Sequence, residues 1–460
     1  MLKKYASLCF VLLIVAALTA CSGNNNGTGS GEGENKGSET SDRKETATTE
    51  PEPNPVEDEP EVIDMSGKPI RVVSWGYAGG EEGTDQGEKK IAMEKEMAEK
   101  HNTKFQFDII PWDGIQDKVT ASIIAGEPIA DVFMLDRYRA FPAMVENDML
   151  MPLSDIVDLT DPKWHGRLKE IGGYNDTVYG FATDFGGGGG IYYNRAILAK
   201  EGLTDPQELH EQGMWNWDAF LDIAKKTTKD TNGDGQLDQY GVSINSVNFV
   251  RAFISSNDTD LTKMDNGKMV YDGDNPNAME ALHFFNDLYH VHKVVKPNQS
   301  GSWDDYITSF NEGNIAMRYG EGWEGGGIQE ALGKDYGFVY IPKGPKANEY
   351  SNSLTNVSLW FVPKGANPDA VRLYIDYMFA NKAPEGEIDA WTESLFADQK
   401  SLDIYLEMGQ YMTSPDWAGI PDFEAKMREV WDNIAAGKET PETGMAKVRP
   451  VMEGLMNASE

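Results

Sequence analysis

The sequence predicts an α/β protein with two domains, and two observations carry this prediction. Near the start of the folded part, apolar strand-like runs alternate with amphipathic helical stretches, in the order IRVVSW (70–75), GEKKIAMEKEMAEKH (87–101), FQFDII (105–110), QDKVTASIIAGE (116–127) and ADVFML (130–135). This βαβαβ order indicates a parallel sheet. The 392 residues from Pro69 to Glu460 exceed one ordinary hydrophobic core, which favours two domains.

The residues that follow the three predicted strands form a candidate ligand site. In parallel sheets, ligands bind beyond the carboxyl ends of the strands. The residues there are Trp75 and Tyr77, then Trp112, then Asp136 and Arg137. They offer aromatic rings and charged groups. The alternatives are that one of the first two aromatic residues packs beneath its loop, and that the Asp-Arg pair is a solvated surface ion pair.

The first 20 residues predict export. Lys3 and Lys4 precede the apolar run Leu8 to Ala20, which is too short to span a bilayer and is typical of a signal peptide. The run ends directly before Cys21 and resembles a lipobox. That resemblance implies cleavage before Cys21 and acylation of its thiol, and two lipid chains hold a protein stably on a membrane. The alternative is an ordinary secretory peptide with a chance cysteine.

Residues 21–68 are predicted to form a disordered acidic tether. From residue 22 the segment is rich in Gly, Asn, Ser, Thr, Glu and Pro, and it holds too little apolar surface to offset its ordering entropy. The formal net charge of the chain is -34, which argues against nucleic acid or an anionic membrane surface as a partner. Cys9 leaves with the signal peptide and Cys21 carries lipid, so we expect no disulfide.

Five further segments resemble a known family, the extracellular solute-binding proteins of family 1, which serve carbohydrate ABC importers as lipoproteins. They stand in the family's order: VYGFATDFGGGGGIYYNRAILAKEGL (178–203), WNWDAFLDIAKKTTKD (215–230), FNEGNIAMRYGEGW (310–323), YGFVYIPKGP (336–345) and WDNIAAGKETPETGMAKV (431–448). The resemblance covers nearly all of the chain from Pro69 to Glu460, and FNEGNIAM followed by GEGW is its most specific part.

The resemblance implies a periplasmic-binding-protein-like fold, in which two α/β lobes joined by three crossings hold a sugar in the cleft between them. The crossings are expected near 182–185, 358–363 and 394–402. Lobe one would then comprise residues 69–182 and 364–398, and lobe two residues 183–363 and 399–460. The implied partners are a carbohydrate and the permease subunits of an ABC importer. We expect a monomer on the extracellular face of the cell membrane.

The resemblance also assigns candidate ligand-binding residues. Trp323 in GEGW matches a stacking tryptophan of the maltodextrin-binding proteins, and the alternative is a core tryptophan of lobe two. Asp136 and Arg137 match an Asp-Arg pair after the third strand, although the family's preceding aromatic residue is absent. Asp184 lies two residues from the position where the maltodextrin-binding proteins use a glutamate. These types suit a sugar because aromatic rings stack on C–H faces and charged groups bind hydroxyls.

Other residues of the same types are expected to have structural roles. The run Gly186 to Gly190 lacks the lysine and strand-helix context of a phosphate loop, so we interpret it as a hinge combined with a close backbone approach. Trp215, Trp217 and Trp391 stand at helix starts or on helix faces, where packing is the simpler interpretation. The few histidines, without cysteine, disfavour a zinc transport protein.

The loop DTNGDGQLDQYG (230–241) predicts a structural calcium site. Its spacing follows that of an EF-hand loop, with ligands expected at Asp230, Asn232, Asp234, the Gln236 carbonyl and Asp238. Position 12 of the loop holds Gly241 in place of the bidentate glutamate, and Gln239 at position 10 could bind only through one oxygen. A strand is predicted to follow the loop, which disfavours a calcium switch. The alternative is an Asx-rich turn without metal.

Three functions are consistent with these features. The first is a binding protein, not an enzyme, that closes two lobes around a sugar and delivers it to an importer. The second is a secreted calcium-dependent glycosidase or polysaccharide lyase, for which the many acids could supply two carboxylates, although no catalytic motif stands out. The third is a calcium-bearing adhesion or scaffold module, which duplicated loops would support. Only one such loop is present.

Overall fold

The computed structural model describes residues 62–458, except residues 186, 267, 299–301, 303 and 384–386. The predicted signal peptide (1–20), the lipidation site at Cys21 and most of the predicted tether lie outside the described residues. No helix in the described part combines the length and apolar character that crossing a membrane requires.

The last residues of the predicted tether belong to the fold. Met65 is buried, and its N–H donates to the His101 carbonyl at 2.9 Å. The His101 ring in turn bonds the carbonyl of Ile63 at 3.0 Å. The boundary predicted at residue 68 is therefore too late, because the apolar residues just before it complete the first core.

From Pro69 to Phe181 the chain alternates strands with helices. These elements are β1 (Pro69–Ser74), α1 (Asp85–Lys100), β2 (Lys104–Ile109), α2 (Trp112–Ile124), β3 (Val132–Asp136), α3 (Arg137–Ala140), α4 (Ala143–Glu146), α5 (Leu168–Ile171), β4 (Gly173–Tyr174), β5 (Thr177–Val178) and β6 (Gly180–Phe181).

The middle of the chain forms a second series. It comprises β7 (Gly189–Asn194), α6 (Arg195–Lys200), α7 (Pro206–Glu211), α8 (Trp217–Thr227), β8 (Tyr240–Ser243), α9 (Ser246–Ser255), β9 (Thr262–Asp265), β10 (Lys268–Tyr271), α10 (Pro276–His290), α11 (Asp305–Asn311), β11 (Ile315–Glu321), α12 (Gly325–Leu332) and β12 (Tyr336–Val339).

The remaining elements complete both halves. They are β13 (Asn352–Ser353), β14 (Ser358–Phe361), α13 (Pro368–Ala380), α14 (Ala390–Ser394), α15 (Gln399–Met408), β15 (Met412–Thr413), α16 (Phe423–Ala435) and α17 (Pro441–Ala458).

Local capping explains where the long helices begin. The side chains of Asn275 and Asn367 accept backbone N–H groups at the starts of α10 and α13. Pro276 and Pro368 occupy the first helical position, where the missing N–H has no partner to lose. These boundaries therefore follow from a few neighbouring residues.

Two larger sheets organise the fold. The first has the order β2-β1-β3-β14-β6, in which β1, β2 and β3 are parallel and β14 is antiparallel to its neighbours. The predicted βαβαβ opening is therefore confirmed. The second sheet has the order β12-β7-β11-β8, in which β7 runs antiparallel to both β11 and β12.

Each sheet has its own hydrophobic core. One core draws its buried residues from 65–185, from 354–377 and from Met412. The other draws them from 191–341 and from 395–456. Two α/β lobes with separate cores result, as predicted.

The chain passes between the cores at positions that differ in part from the expected ones. The first passage lies between Phe185 and Gly189, next to the predicted position. The second precedes β14, because this strand is inserted into the first sheet and its residues belong to the first core. The third lies between α13 and α14, earlier than expected. Local periodicity can mark a strand, but it does not show which sheet the strand joins when its partners are distant in sequence.

The glycine run lets the backbone of the first passage approach other parts of the protein. Gly187 has a left-handed φ of +86°, and a Cβ there would lie 2.2 Å from the Tyr405 hydroxyl oxygen. A Cβ at Gly189 would lie 2.0 Å from the Tyr319 hydroxyl oxygen. The space beside these two glycines is therefore filled by tyrosine side chains of lobe two.

We predict that Gly187→Ala lowers the melting temperature. The left-handed backbone alone costs a non-glycine residue about 1–2 kcal/mol, and the overlap with Tyr405 adds to this. Gly166→Ala is the control, because Gly166 has open space and no positive φ. Equal melting temperatures for the two variants, measured by circular dichroism, would contradict the prediction.

Candidate functional site

Two exposed tryptophans are each held by a carboxylate. Trp112 opens α2 in lobe one and is 46% exposed, and Trp323 follows β11 in lobe two and is 57% exposed. The Trp112 indole N–H donates to Asp136 at 2.7 Å, and the Trp323 indole N–H donates to Glu321 at 2.8 Å. Each large ring is thus fixed in orientation while a substantial part of it remains in water.

Two nearby residues of one short segment donate hydrogen bonds to these two carboxylates. The Asn356 amide donates to Glu321 at 2.6 Å, and the Ser358 hydroxyl donates to Asp136 at 3.1 Å. Two residues of extended chain span about 7 Å. Asp136 from lobe one and Glu321 from lobe two therefore flank the same short segment, which leads from the second passage into β14.

The structure brings together three of the predicted ligand residues, Trp112, Asp136 and Trp323. Glu321, Asn356 and Ser358 complete the group and were not predicted. Glu321 stands inside the GEGW motif, so the motif could have pointed to it. Asn356 and Ser358 carry no local signal, because their role depends on where the second passage meets the ends of β3 and β11.

One face of Trp112 is covered. The Arg139 guanidinium carbon lies 4.3 Å from the centre of the indole, and Arg139 also donates to the Trp112 carbonyl at 2.6 Å. Gln116 accepts from the Arg139 Nε at 3.1 Å and holds the guanidinium in place. The ring is fixed by a cation–π contact as well as by its N–H, so a single face is left for a ligand.

The turn that carries Trp323 is tightly determined. The Tyr192 hydroxyl donates to the carbonyls of Glu321 and Gly322 at 3.1 and 3.0 Å. A Cβ at Gly322 would lie 2.1 Å from the Tyr405 ring, which explains the glycine directly before the tryptophan. The turn is also a capping box, in which Glu321 and Glu324 accept each other's backbone N–H.

Both site carboxylates are electrostatically unfavourable in their ionised form. Burial raises the pKa of Asp136, and the hydrogen bonds from Trp112 and Ser358 offset only part of this effect. Burial likewise raises the pKa of Glu321, against the nearby charge of Arg251 and the hydrogen bonds from Trp323 and Asn356. Perturbed carboxyl groups of this kind concentrate at functional sites.

Arg137 was predicted to bind the ligand, but its side chain is buried inside the protein. It is only 5% exposed and pairs with Asp416 at 2.6 Å. It also donates to the carbonyls of Ile171 at 2.9 Å, Gly173 at 3.3 Å and Ser414 at 3.4 Å. The guanidinium thus binds main-chain carbonyls of lobe one and of the segment that contains β15. Its role is to hold these segments together and not to bind a ligand.

Asp184 lies in the wall of a cavity of about 850 Å³. The lining also includes Lys382, two residues after α13, and Tyr405 from α15, so both lobes contribute to the cavity. Asp184 is exposed, and the Lys382 ammonium lies 3.6 Å from its carboxylate. Tyr405 reaches toward both regions, because its ring also contacts Gly322 beside Trp323.

The two aromatic residues after β1 differ in environment. Tyr77 is 45% exposed and packs edge-on against Phe107, with ring centres 5.7 Å apart. Trp75 is half-buried and packs against the first core. One of the two residues therefore packs beneath its loop, as the alternative interpretation anticipated.

Among the tryptophans assigned to packing, two predictions are confirmed and one is wrong. Trp215 is fully buried and Trp217 is 5% exposed. Trp391 is 57% exposed, because it lies on the short helix α14, which has no buried residue. A helical position alone does not show which side of a helix meets a core.

The loop predicted to hold calcium is exposed, and its carboxylates cap its own backbone. Asp230 accepts the N–H groups of Gly233 at 2.6 Å and Gly235 at 2.7 Å. Asp238 accepts the N–H and the hydroxyl of Thr231 at 2.8 and 3.0 Å. In the described part of the chain, no three His, Cys, Asp or Glu side chains form a metal-binding group.

A strand, β8, follows this loop, as predicted for a site that is not a switch. Gln239 is buried, and its side-chain amide donates to the Thr227 carbonyl at 2.7 Å. Its side chain is therefore directed into the fold, and position 10 adds little to the loop's ligand set. The carboxylate, amide and carbonyl oxygens at the other positions are of the chemical type that calcium prefers.

A comparison of the sequence with known protein families identifies the family of this chain. Residues 79–384, more than half of the chain, match the family described as bacterial extracellular solute-binding protein. The chain belongs to this family. Diacetylchitobiose binding protein DasA of Streptomyces coelicolor is 25% identical to this solute-binding protein over 283 residues, which cover 60% of the present chain and 63% of DasA. The chain thus spans less than two thirds of the length of the curated relatives it matches.

Solved structures confirm the predicted fold class. The substrate-binding protein Lmo0181 of Listeria monocytogenes, in complex with cycloalternan, is 18% identical with a TM-score of 0.64, over 85% of this chain and 99% of that chain. The cyclic alpha-maltosyl-1,6-maltose binding protein of Arthrobacter globiformis is 13% identical with a TM-score of 0.65, over the same shares. At these identities the likeness establishes the fold of this solute-binding protein.

We predict that Asp136→Asn stabilises this solute-binding protein at pH 7.5. Because folding raises the pKa of Asp136, the wild-type protein gains stability as pH falls and loses it as pH rises through the folded-state pKa. Asparagine can still accept the Trp112 N–H and can donate to Ser358. We expect the melting temperature to rise by roughly 1–3 °C at pH 7.5, with the gain shrinking toward pH 4.5.

Asp113→Asn is the matched control, because Asp113 is an exposed carboxylate on the same helix. We expect its melting temperature at pH 7.5 to stay close to that of wild type. A gain for Asp136→Asn that is the same at both pH values would contradict the assigned cause.

Proposed function

We propose that this protein captures a sugar or oligosaccharide by closing its two lobes and delivers it to the permease of an ABC importer. The observation that carries the proposal is the pair of carboxylate-held tryptophans, one from each lobe, on either side of the segment Asn356 to Ser358. The protein acts as a monomer on the extracellular face of the membrane, where lipid on Cys21 anchors it. It releases its ligand unaltered.

The groups at this site suit a carbohydrate. Sugar rings present apolar C–H faces, for which the exposed rings of Trp112 and Trp323 are suitable partners. Sugar hydroxyls donate to carboxylates, and Asp136 and Glu321 are already held in place by neutral donors. Lobe closure would bring the two rings toward each other and remove water from the carboxylates. The named neighbours are described as binding cycloalternan, diacetylchitobiose and a cyclic maltosyl-maltose.

The enzyme alternative is less well supported. A glycosidase also needs two carboxylates, one on each side of the bond that it cleaves. Asp136 and Glu321 are two carboxylates at one site. Both are, however, engaged by indole, amide or hydroxyl donors, and the family is one of solute-binding proteins. Release of reducing ends from an oligosaccharide would identify an enzyme.

We predict that a carbohydrate raises the melting temperature of the protein by mass action. The panel contains cycloalternan, diacetylchitobiose, maltotriose and mannotriose. For a sugar that binds, Trp112→Ala and Trp323→Ala should each weaken the affinity tenfold or more in calorimetry, since each removes a stacking ring. A tenfold loss corresponds to about 1.4 kcal/mol.

Trp391→Ala is the matched control, because Trp391 is as exposed as Trp323 but is held by neither site carboxylate. We expect its affinity to stay within about twofold of wild type, well inside the 1.4 kcal/mol that marks a tenfold change. No shift with any carbohydrate, together with a shift for peptides, would reject the sugar assignment. Equal losses in all three variants would reject the assigned site.

We also propose a structural calcium ion in the exposed loop between α8 and β8. The ligand set is the one expected from the sequence, namely Asp230, Asn232, Asp234, the Gln236 carbonyl and Asp238. Gly233 and Gly235 have left-handed φ values of +82° and +87°, which is the backbone form that such a loop needs at its turns. The bound ion would neutralise the loop's carboxylates and fix its conformation.

We predict that excess chelator lowers the melting temperature of the protein and that added calcium restores it. Asp234→Asn should abolish this response, because it removes one charge while asparagine keeps the turn-capping oxygen that accepts the Gln236 N–H. Asp265→Asn, in the exposed β9, is the control and should respond like wild type. A melting temperature that excess chelator leaves unchanged would indicate an Asx-rich turn without metal.

A further inference from the structure

A buried ion pair lies directly behind the turn that carries Trp323. Arg318 on β11 is fully buried and donates to the Glu324 carboxylate at 2.8 Å. The other oxygen of Glu324 accepts the backbone N–H of Glu321 at 2.7 Å. The Glu321 side chain then accepts the Trp323 indole N–H. A continuous chain of hydrogen bonds therefore runs from a buried arginine to an exposed ring of the proposed binding site.

The arginine is held by an aromatic cage. Its guanidinium carbon lies 5.3 Å from the ring centre of Tyr192, 5.6 Å from that of Tyr306 and 5.4 Å from that of Phe310. The Nε and Nη2 atoms of Arg318 have no hydrogen-bond partner, whereas Nη1 donates to the Tyr319 carbonyl at 3.1 Å as well as to Glu324. These two acceptors and the ring faces therefore stabilise the guanidinium. A cation in this position can move little, and the carboxylate that it holds is fixed with it.

Burying an ion pair in this space is unfavourable because both charges lose their hydration. Two apolar residues of similar volume are often neutral or stabilising by comparison. The pair does, however, supply what apolar residues cannot, namely a fixed acceptor for the Glu321 N–H at the start of the turn. Stability alone therefore gives no reason for these two charges, whereas the placement of Glu321 and Trp323 does.

We infer that Arg318 and Glu324 are positioning residues for the ligand site, because together they fix the backbone of Glu321 and through it the Trp323 ring. This inference rests on the proposed function for its consequence, which is that loss of the acceptor weakens carbohydrate binding. The placement of the ring itself can be measured without a ligand.

The test compares Glu324→Gln with Glu324→Met in the full chain. Both remove the charge opposite Arg318 and nearly conserve volume, but only glutamine keeps an acceptor for the Glu321 N–H. The protein is labelled with 5-fluorotryptophan, and its Trp323 resonance is assigned with Trp323→Phe. We expect glutamine to leave this resonance in place. Methionine should shift or broaden it and weaken the binding of maltotriose or diacetylchitobiose tenfold or more.

A double variant covers the case in which Glu324→Met does not fold. Arg318→Met with Glu324→Met removes both buried charges together, so no unpaired charge remains. We expect a displaced Trp323 resonance in this variant at a melting temperature near that of wild type. An unmoved resonance in the methionine variants, or equal displacement in the glutamine and methionine variants, would overturn the inference. Failure of wild type to bind any carbohydrate would reject the proposed function, while the resonance still decides the positioning role.

Discussion

The arrangement of the site depends on two hydrogen bonds made by one short segment. Asn356 binds Glu321 of lobe two, and Ser358 binds Asp136 of lobe one. Because each carboxylate also holds an indole ring, the segment lies between two ring–carboxylate pairs, one from each lobe. It leads into β14, which pairs with β3 in the first sheet, so its position is tied to a rigid element.

The same arrangement places two carboxylates where their ionised forms are disfavoured. A protein selected for stability alone would have little use for a buried aspartate beside a half-buried glutamate, both with raised pKa values. Such groups are informative because their cost needs a compensating gain, and a ligand with many hydroxyl donors would supply it. Arg318 and Glu324 extend this argument behind the ring of Trp323. Hydrogen bonds thus link Arg318 in the core of lobe two, through Glu324 and Glu321, to the exposed ring of Trp323.

Much of the fold could be predicted from sequence because its signals are local. The βαβαβ opening follows from periodicity, and the GEGW motif made Trp323 a candidate. The prediction failed where a role depends on distant partners. The strand β14 joins a sheet whose other members precede it by more than 170 residues, and Asn356 matters only because Glu321 meets it there. Arg137 matched a family pattern, yet Asp416, far along the chain, determines its contacts.

The segment that contains β15 connects the two lobes once more. After α15 the chain returns briefly to the first core through Met412, and β15 pairs with β13. Two arginines of lobe one hold this segment by its main chain, since Arg167 donates to the Gly409 carbonyl at 2.6 Å and Arg137 to the Ser414 carbonyl. The segment is therefore attached to lobe one through main-chain hydrogen bonds as well as through the buried side chain of Met412.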